Sequence, residues 1–261
     1  MTGSVLTSLS EDGVATITLN RPEARNALNM DIKGALADAI AWAASEPAAR
    51  AVVITGAGDA FSAGGDIKEM ALNDTPVTSR ARLQKLLATV FVPLSLMEKP
   101  TVAAVNGAAH GAGLSLALAC DIILVADDAK LSCAFTKVGL LPDCGSLYFL
   151  PRRVGVGVAK ELIFTGRALS AAEAVELRLA NRSVPKAELL STAHELASSF
   201  ASSATVALGL AKRLLDQSSQ STLGQMSELE ALAQAVLFAT DDHLAARTAF
   251  AAKEKPVFTG R

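Results

Sequence analysis

A chain of 261 residues, 51% of them apolar, can build one large domain or a domain with an appendage. Its 24 basic and 26 acidic side chains nearly cancel, for a net charge of −2, which excludes the electrostatic footprint of a nucleic-acid binder, and 4% aromatic content leaves no stacking platform for bases. Apolar runs are broken by Gly, Pro, Asp or Lys well short of the ~20 residues of a membrane span. Residues 1–9 lack a basic start followed by an apolar stretch, so no signal peptide is expected. Cys120, Cys133 and Cys144 follow no metal spacing and read as reduced thiols of a cytoplasmic protein.

In chain order, residues 4–20 predict a β-hairpin, with Ala15, Ile17 and Leu19 alternating against Val14, Thr16 and Thr18 after the turn Ser10-Glu11-Asp12-Gly13. Asn29 can cap a helix running to about residue 44, with Ile32, Leu36, Ala39 and Ile40 on one face. "AVVIT" at 51–55 is a short buried strand. "FSAGGDIKEM" at 61–70 then places Gly64-Gly65 before a helix start at Asp66. Glycine there lets backbone approach another group closely, and Asp66 and Glu69 have capping-box spacing. Residues 73–76 form an exposed break, and a helix is expected over 77–97.

The cycle repeats with a strand at 101–105, the turn Asn106-Gly107, a helix at 114–119 and a strand at 122–126. Ser170 and Glu173 form a second capping-box pair. Strands alternating with helices predict an α/β fold. From about Lys186 the strands stop, and alanine-rich amphipathic helices are expected at 186–200, 204–218, 222–239 and 241–253. The stripe Leu223, Met226, Leu229, Glu230, Ala233 and Leu237 either packs on its own domain or forms a subunit interface.

The glycine-rich loops match no nucleotide fingerprint. Leu116 and Lys160 stand where two candidate G-x-G-x-x-G runs need their last glycine. No P-loop and no G-x-S-x-G is present. His110, beside a loop glycine, reads as a pocket wall or satisfied histidine before a base. Two loops, "FSAGG-D" and "NGAAHGAG-LS", share a design: each follows a strand and ends at a helix start. Unpaired N–H groups there carry partial positive charge. Each alone reads as a tight turn, but two such groups aimed at one point would make an oxyanion hole.

Together with "LNRPEARNALN" at 19–29, "KPTVAAVNGAAHGAGLSLALACDIILVADDAKL" at 99–131, "VGLLPDCGSLYFLPRRVG" at 138–155 and "ELIFTGRALSAAEA" at 161–174, these loops make nearly the whole chain resemble the crotonase superfamily, the enoyl-CoA hydratase/isomerase family. The resemblance implies an α/β spiral of ββα units over residues 1–195 that binds acyl-CoA, and a helical oligomerisation region over 196–261. It also implies a homotrimer or hexamer, a place in fatty acid metabolism, and no cofactor beyond the coenzyme A of the substrate. By resemblance the oxyanion-hole donors are the N–H groups of Gly65 and Ala112. The CoA moiety would run along Arg25, Ala27, Ala63, Asp66 and Ile67, with Phe250 and Lys253 reaching it from a neighbouring subunit.

Hydratases of this family use two glutamates; Ser115 and Phe135 occupy those positions here and are expected to line the pocket. Neither side chain can activate water at neutral pH. Asp143, directly after Pro142, matches the acid of the family's enoyl-CoA isomerases, including the phenylacetate-pathway type. A single carboxylate in an apolar pocket, flanked by Leu140, Leu141, Leu147 and Phe149, suits proton transfer from C2 to C4. The alternative for Asp143 is a loop acid in ordinary turn chemistry. The expectation is therefore a shift of 3-enoyl-CoA to 2-enoyl-CoA. The alternatives are a hydratase-like lyase with atypical acid/base residues and a non-catalytic acyl-CoA-binding homologue.

Overall fold

A computed structural model describes residues 3–69 and 75–261; of Ile67 it describes the backbone. The expected hairpin forms from β1 (Val5–Leu9) and β2 (Val14–Leu19), paired antiparallel with Val5 opposite Leu19. Asn29 caps α1 (Met30–Ser45) as expected, its side chain accepting from the Ile32 N–H, and Ile32, Leu36, Ala39 and Ile40 are buried. The chain then makes three similar turns. β3 (Ala51–Gly56) leads to β4 (Ala60–Ser62), then α2 (Pro76–Leu86), a wider π turn at 87–91 and α3 (Val92–Leu96). β5 (Thr101–Val105) leads to β6 (Ala108–His110) and α4 (Ala112–Leu118). β7 (Ile122–Ala126) leads to β8 (Lys130–Ser132) and α5 (Ser146–Thr165), kinked at Gly155. The expected break at 73–76 is described only at Thr75 and Pro76, where Thr75 caps α2.

Among the described residues the long strands make a sheet in the order β1-β2-β3-β5-β7-β10, parallel except for β1. The short strands make a second sheet, β4-β6-β8-β9. β9 (Ala168–Ser170) runs antiparallel to β8, and α6 (Ala171–Glu176) and β10 (Arg182–Val184) follow. Every residue of β3 and β5 is buried, because strands covered on both faces read as continuous apolar runs. α1 covers the hairpin side, and α7 (Leu189–Ala201) covers β3 and β5 with Leu189, Ala193, Ala197 and Ala201. The Ser170–Glu173 capping box is present, with the Glu173 carboxylate accepting from the Ser170 N–H at 2.8 Å. The structure is thus the expected α/β spiral of ββα units with a helical C-terminal region.

The helical region differs in detail from expectation. Residue 195 falls inside α7, which lies on the sheet as part of the core. Beyond it come α8 (Thr205–Ser218), α9 (Leu223–Leu237) and α10 (Asp241–Ala252). In α9 the stripe Met226, Leu229, Ala233 and Leu237 is half-buried, while Leu223, Leu232 and Val236 are exposed. After α10 the chain folds back. Asp242, itself buried, accepts from the Thr259 and Gly260 N–H groups at 2.6 and 3.0 Å, and Arg50 donates to the Phe258 carbonyl at 2.8 Å. No helix among the described residues is long and apolar enough to cross a membrane.

Candidate active site

The second sheet assembles the site. β4, β6 and β8 run parallel in neighbouring positions, with Ser62 opposite Ala109 and His110 opposite Ser132. Their carboxyl ends therefore bring residues 63–65, 111–112 and 134–135 side by side, the usual place for a ligand in an open parallel sheet. The first two loops touch through backbone. Gly64 has φ 91°, and a Cβ there would lie 2.5 Å from the His110 carbonyl oxygen; one on Gly113 would lie 2.5 Å from that of Ser62. Only glycine permits this approach.

Ala112 begins α4, so its N–H has no intrahelical acceptor. Leu28 donates to the Gly64 carbonyl at 2.7 Å, which fixes the strand-like stretch around Gly65. The Gly65 N–H donates to no acceptor among the described residues. Both residues line one cavity of about 960 Å³, and Asp143, Cys144, Phe135 and Leu140 line it too. The two expected donors and the expected acid thus share one chamber.

Asp143 is half-buried, and its Oδ1 is buried with no hydrogen-bond partner among the described residues. Burial pushes its carboxyl above the usual aspartate range, while the adjoining Cys144 thiol and the Lys33 ammonium work against that shift. The backbone of Asp143 is instead well held: its carbonyl accepts from the Ser146 N–H at 2.9 Å and lies 3.2 Å from Ser115 Oγ. The loop-capping role open to this acid is thus filled by its carbonyl, not its carboxylate. The Cys133 thiol is pushed up to about 11 by burial, and Cys144 is pushed up for the same reason. Neither is a ready thiolate.

The two glutamate-position residues part company. Phe135 lines the cavity as expected, its ring 3.8 Å from where a Cβ on Gly111 would stand. Ser115 does not line it. It is fully buried beneath, bonded to Ser146 Oγ at 2.7 Å, because α4 turns this position away from the chamber and under the Asp143 turn. His110 is a wall residue, its Nδ1 sharing a 2.8 Å hydrogen bond with Ser132 Oγ. Burial, then the charges of Lys137 and Arg25, hold it below the ordinary histidine range.

At the rim, Ala63 and Asp66 line the cavity. Where a helix with a capping box is expected at Asp66, the described residues form a 3₁₀ turn, Ile67–Glu69, and residues 70–74 lie outside the description. Asp66 caps that turn by accepting from the Lys68 N–H at 3.0 Å, and each acid also finds a partner across space: Asp66 pairs with Arg21 at 2.6 Å and Glu69 accepts from the Met30 N–H at 2.7 Å. The hydrogen bond from Arg21, then that from the Lys68 N–H, holds the Asp66 carboxyl low. Arg25 is exposed and Ala27 buried; neither lines the cavity. The Arg25 carbonyl does accept from the Ala63 N–H at 2.8 Å. The side chain of Ile67 lies outside the description. Phe250 is 86% exposed on α10, and Lys253 caps that helix in the left-handed region; neither lines this chain's cavity.

Two walls of the site lie outside the motifs, and Asn26, inside the first motif, is given no role by the sequence. Lys33, Gly34 and Ala37 of α1 and Leu83, Leu86 and Thr89 of the α2–π segment form the far wall. Asn26, fully buried at φ 55°, pins the rim by accepting from the Arg21 N–H at 2.9 Å and donating to the Ala57 and Ala60 carbonyls at 2.9 and 2.7 Å. A buried asparagine in the left-handed region is a structural pin of this kind.

Comparison with known proteins gives a consistent result. The family model described as enoyl-CoA hydratase/isomerase matches residues 10–261. The short-chain-enoyl-CoA hydratase of Clostridium acetobutylicum is 38% identical over 246 residues, 94% of each chain. The 1,2-epoxyphenylacetyl-CoA isomerase of Escherichia coli is 36% identical over 255 residues, 96% of this chain and 97% of the other. The solved structure of an enoyl-CoA hydratase from Bacillus anthracis superposes with a TM-score of 0.93 at 34% identity, covering 99% of this chain and 100% of that one.

Proposed function

The chain belongs to the enoyl-CoA hydratase/isomerase family, and on that premise we propose that it moves a carbon–carbon double bond within an acyl-CoA, from the 3 to the 2 position, with little hydration. The thioester oxygen would sit between the N–H groups of Gly65 and Ala112 and carry the enolate charge. Asp143 would take the proton from C2 and return it at C4. Relatives carry both hydratase and isomerase names, so names do not choose between the reactions. The observation that carries the choice is Asp143: a carboxyl with its Oδ1 unpartnered among the described residues, raised in pKa by burial, in the cavity that both proposed donors line. A carboxyl so placed is basic enough to accept a carbon acid's proton and to give it back. Hydration needs a second group to hold water, and Phe135 offers only an aromatic ring there.

The test is wild-type turnover of a 3-enoyl-CoA beside crotonyl-CoA. Isomerisation should dominate, and Asp143→Asn should lower it by about 10²–10⁴ with binding largely kept. Fast hydration without isomerisation would remove the isomerase reading. Turnover of neither, with tight thioester binding, would leave an acyl-CoA-binding protein.

The same reading includes a cytoplasmic homotrimer or hexamer joined through the helices after α7, with Phe250 and Lys253 meeting the CoA of a neighbouring subunit. Its support is the apolar surface of Leu223, Leu232, Val236, Phe238 and Phe250, all more than half exposed in the single chain. Light scattering that finds only monomer at micromolar concentration would refute it.

A further inference from the structure

Beneath the acid lies a buried hydroxyl pair that proton transfer itself does not use. Ser115 and Ser146 are both fully shielded from solvent, and their Oγ atoms share a hydrogen bond of 2.7 Å. Ser115 Oγ also lies 3.2 Å from two carbonyl oxygens, those of Gly111 and Asp143. A hydroxyl has one proton to donate and can accept another. With Ser146 donating to Ser115, the Ser115 proton serves both carbonyls. Neither needs it for satisfaction. The Gly111 carbonyl already accepts from the Ser115 N–H at 3.0 Å, and that of Asp143 from the Ser146 N–H at 2.9 Å.

What the hydroxyl adds is a link. Gly111 directly precedes the donor Ala112, and Asp143 carries the acid. Among the described residues no hydrogen bond other than those of this hydroxyl pair joins the 111–112 loop to the 143–146 turn. That turn needs holding. Cys144 and Gly145 both have positive φ, 53° and 85°, and a non-glycine residue in the left-handed region persists only where its surroundings fix it.

We propose that Ser115 is a positioning residue, acting with Ser146 through Asp143: the hydroxyl bridge sets the carboxylate's place relative to the oxyanion donors. The proposal rests on the reading of Asp143 as the proton carrier. It makes the side chain at a hydratase glutamate position an internal strut instead of an acid.

The experiment measures kcat, KM and the pH profile of 3-enoyl-CoA isomerisation for Ser115→Ala, Ser115→Cys and Ser146→Ala, each also combined with Asp143→Asn. A displacement of about 1 Å at a reacting group costs on the order of 10²-fold. Ser115→Ala should therefore lower kcat by roughly 10- to 100-fold, with KM nearly constant and the acidic limb of the profile moved. Ser115→Cys, a weaker donor of similar size, should recover part of the loss, and Ser146→Ala should lose less than Ser115→Ala. In the Asp143→Asn background Ser115→Ala should have no further effect. Should Ser115→Ala fold poorly, Ser146→Ala carries the same comparison. Loss of thermal stability with kcat and pH profile unchanged would overturn the proposal, as would an equal loss of kcat with and without Asp143. An Asp143→Asn protein as active as wild type would instead remove the reading of the acid itself.

Discussion

Asp143→Asn should make the protein more stable at neutral pH while making it less active. The carboxyl is half-buried, Oδ1 has no partner among the described residues, and burial lifts its pKa in the folded chain. A carboxyl whose folded pKa is raised favours the fold in its neutral form. That contribution is full below the unfolded value of ~3.9 and is lost as pH rises through the folded value. At pH 7 the wild type therefore bears a charge that folding disfavours, and the amide does not. An unsatisfied buried polar group costs about 1–3 kcal/mol and a charged one more, and the amide, equally unpartnered there, escapes only that excess. Partial exposure and the Lys33 ammonium trim this, so a gain of about 1–2 kcal/mol is expected. For a chain of this size that is roughly 2–8 °C in Tm. Calorimetry of both proteins at pH 7 and near pH 3 is the assay. The gap should be present at pH 7 and close near pH 3, where both side chains are neutral. An Asn protein no more stable than wild type at pH 7, or one with the same advantage at both pH values, would refute the argument that burial strains this carboxylate.

Gly65→Pro removes one backbone donor from the cavity wall and should lower turnover by about 10²–10³; undiminished rate in a folded protein would move the oxyanion hole elsewhere. Asn26→Ala strips the rim of three side-chain hydrogen bonds and should cost about 2–4 kcal/mol in denaturant unfolding, with a change below about 1 kcal/mol counting against its role as a pin.

The sequence was legible where a single element carries its own pattern. The hairpin, α1 with its Asn29 cap, strands β3, β5 and β7, and the helices from α7 onward all announce themselves through period and capping. The short strands β4, β6, β8, β9 and β10 have three residues each, too few for an alternation to register. α5 is masked by Pro151 and by the non-helical Gly155. Asp66 and Glu69 have the spacing of a capping box, and Asp66 does cap its turn through the Lys68 N–H, but Glu69 is claimed by the distant Met30 and Asp66 shares its carboxylate with Arg21. That Gly65, Ala112 and Asp143 meet in one chamber was legible, because the motifs follow one another in family order. The inward burial of Ser115 was not, since it depends on which way α4 faces.

The parallel packing of β4, β6 and β8 behaves like a rack with separate slots. Each slot opens at a strand end, and what stands in it is anchored by its own turn of the spiral. The slots after β4 and β6 present the backbone of Gly65 and Ala112, which no exchange of their side chains short of proline would remove, whereas the slot after β8 presents the side chains of Phe135 and Asp143. Under the proposed reading, such an architecture would divide the labour of holding a reactive anion from that of moving protons. Selection can then rewrite the second without disturbing the first, and a lineage can trade one acid for another while its substrate handle stays in place.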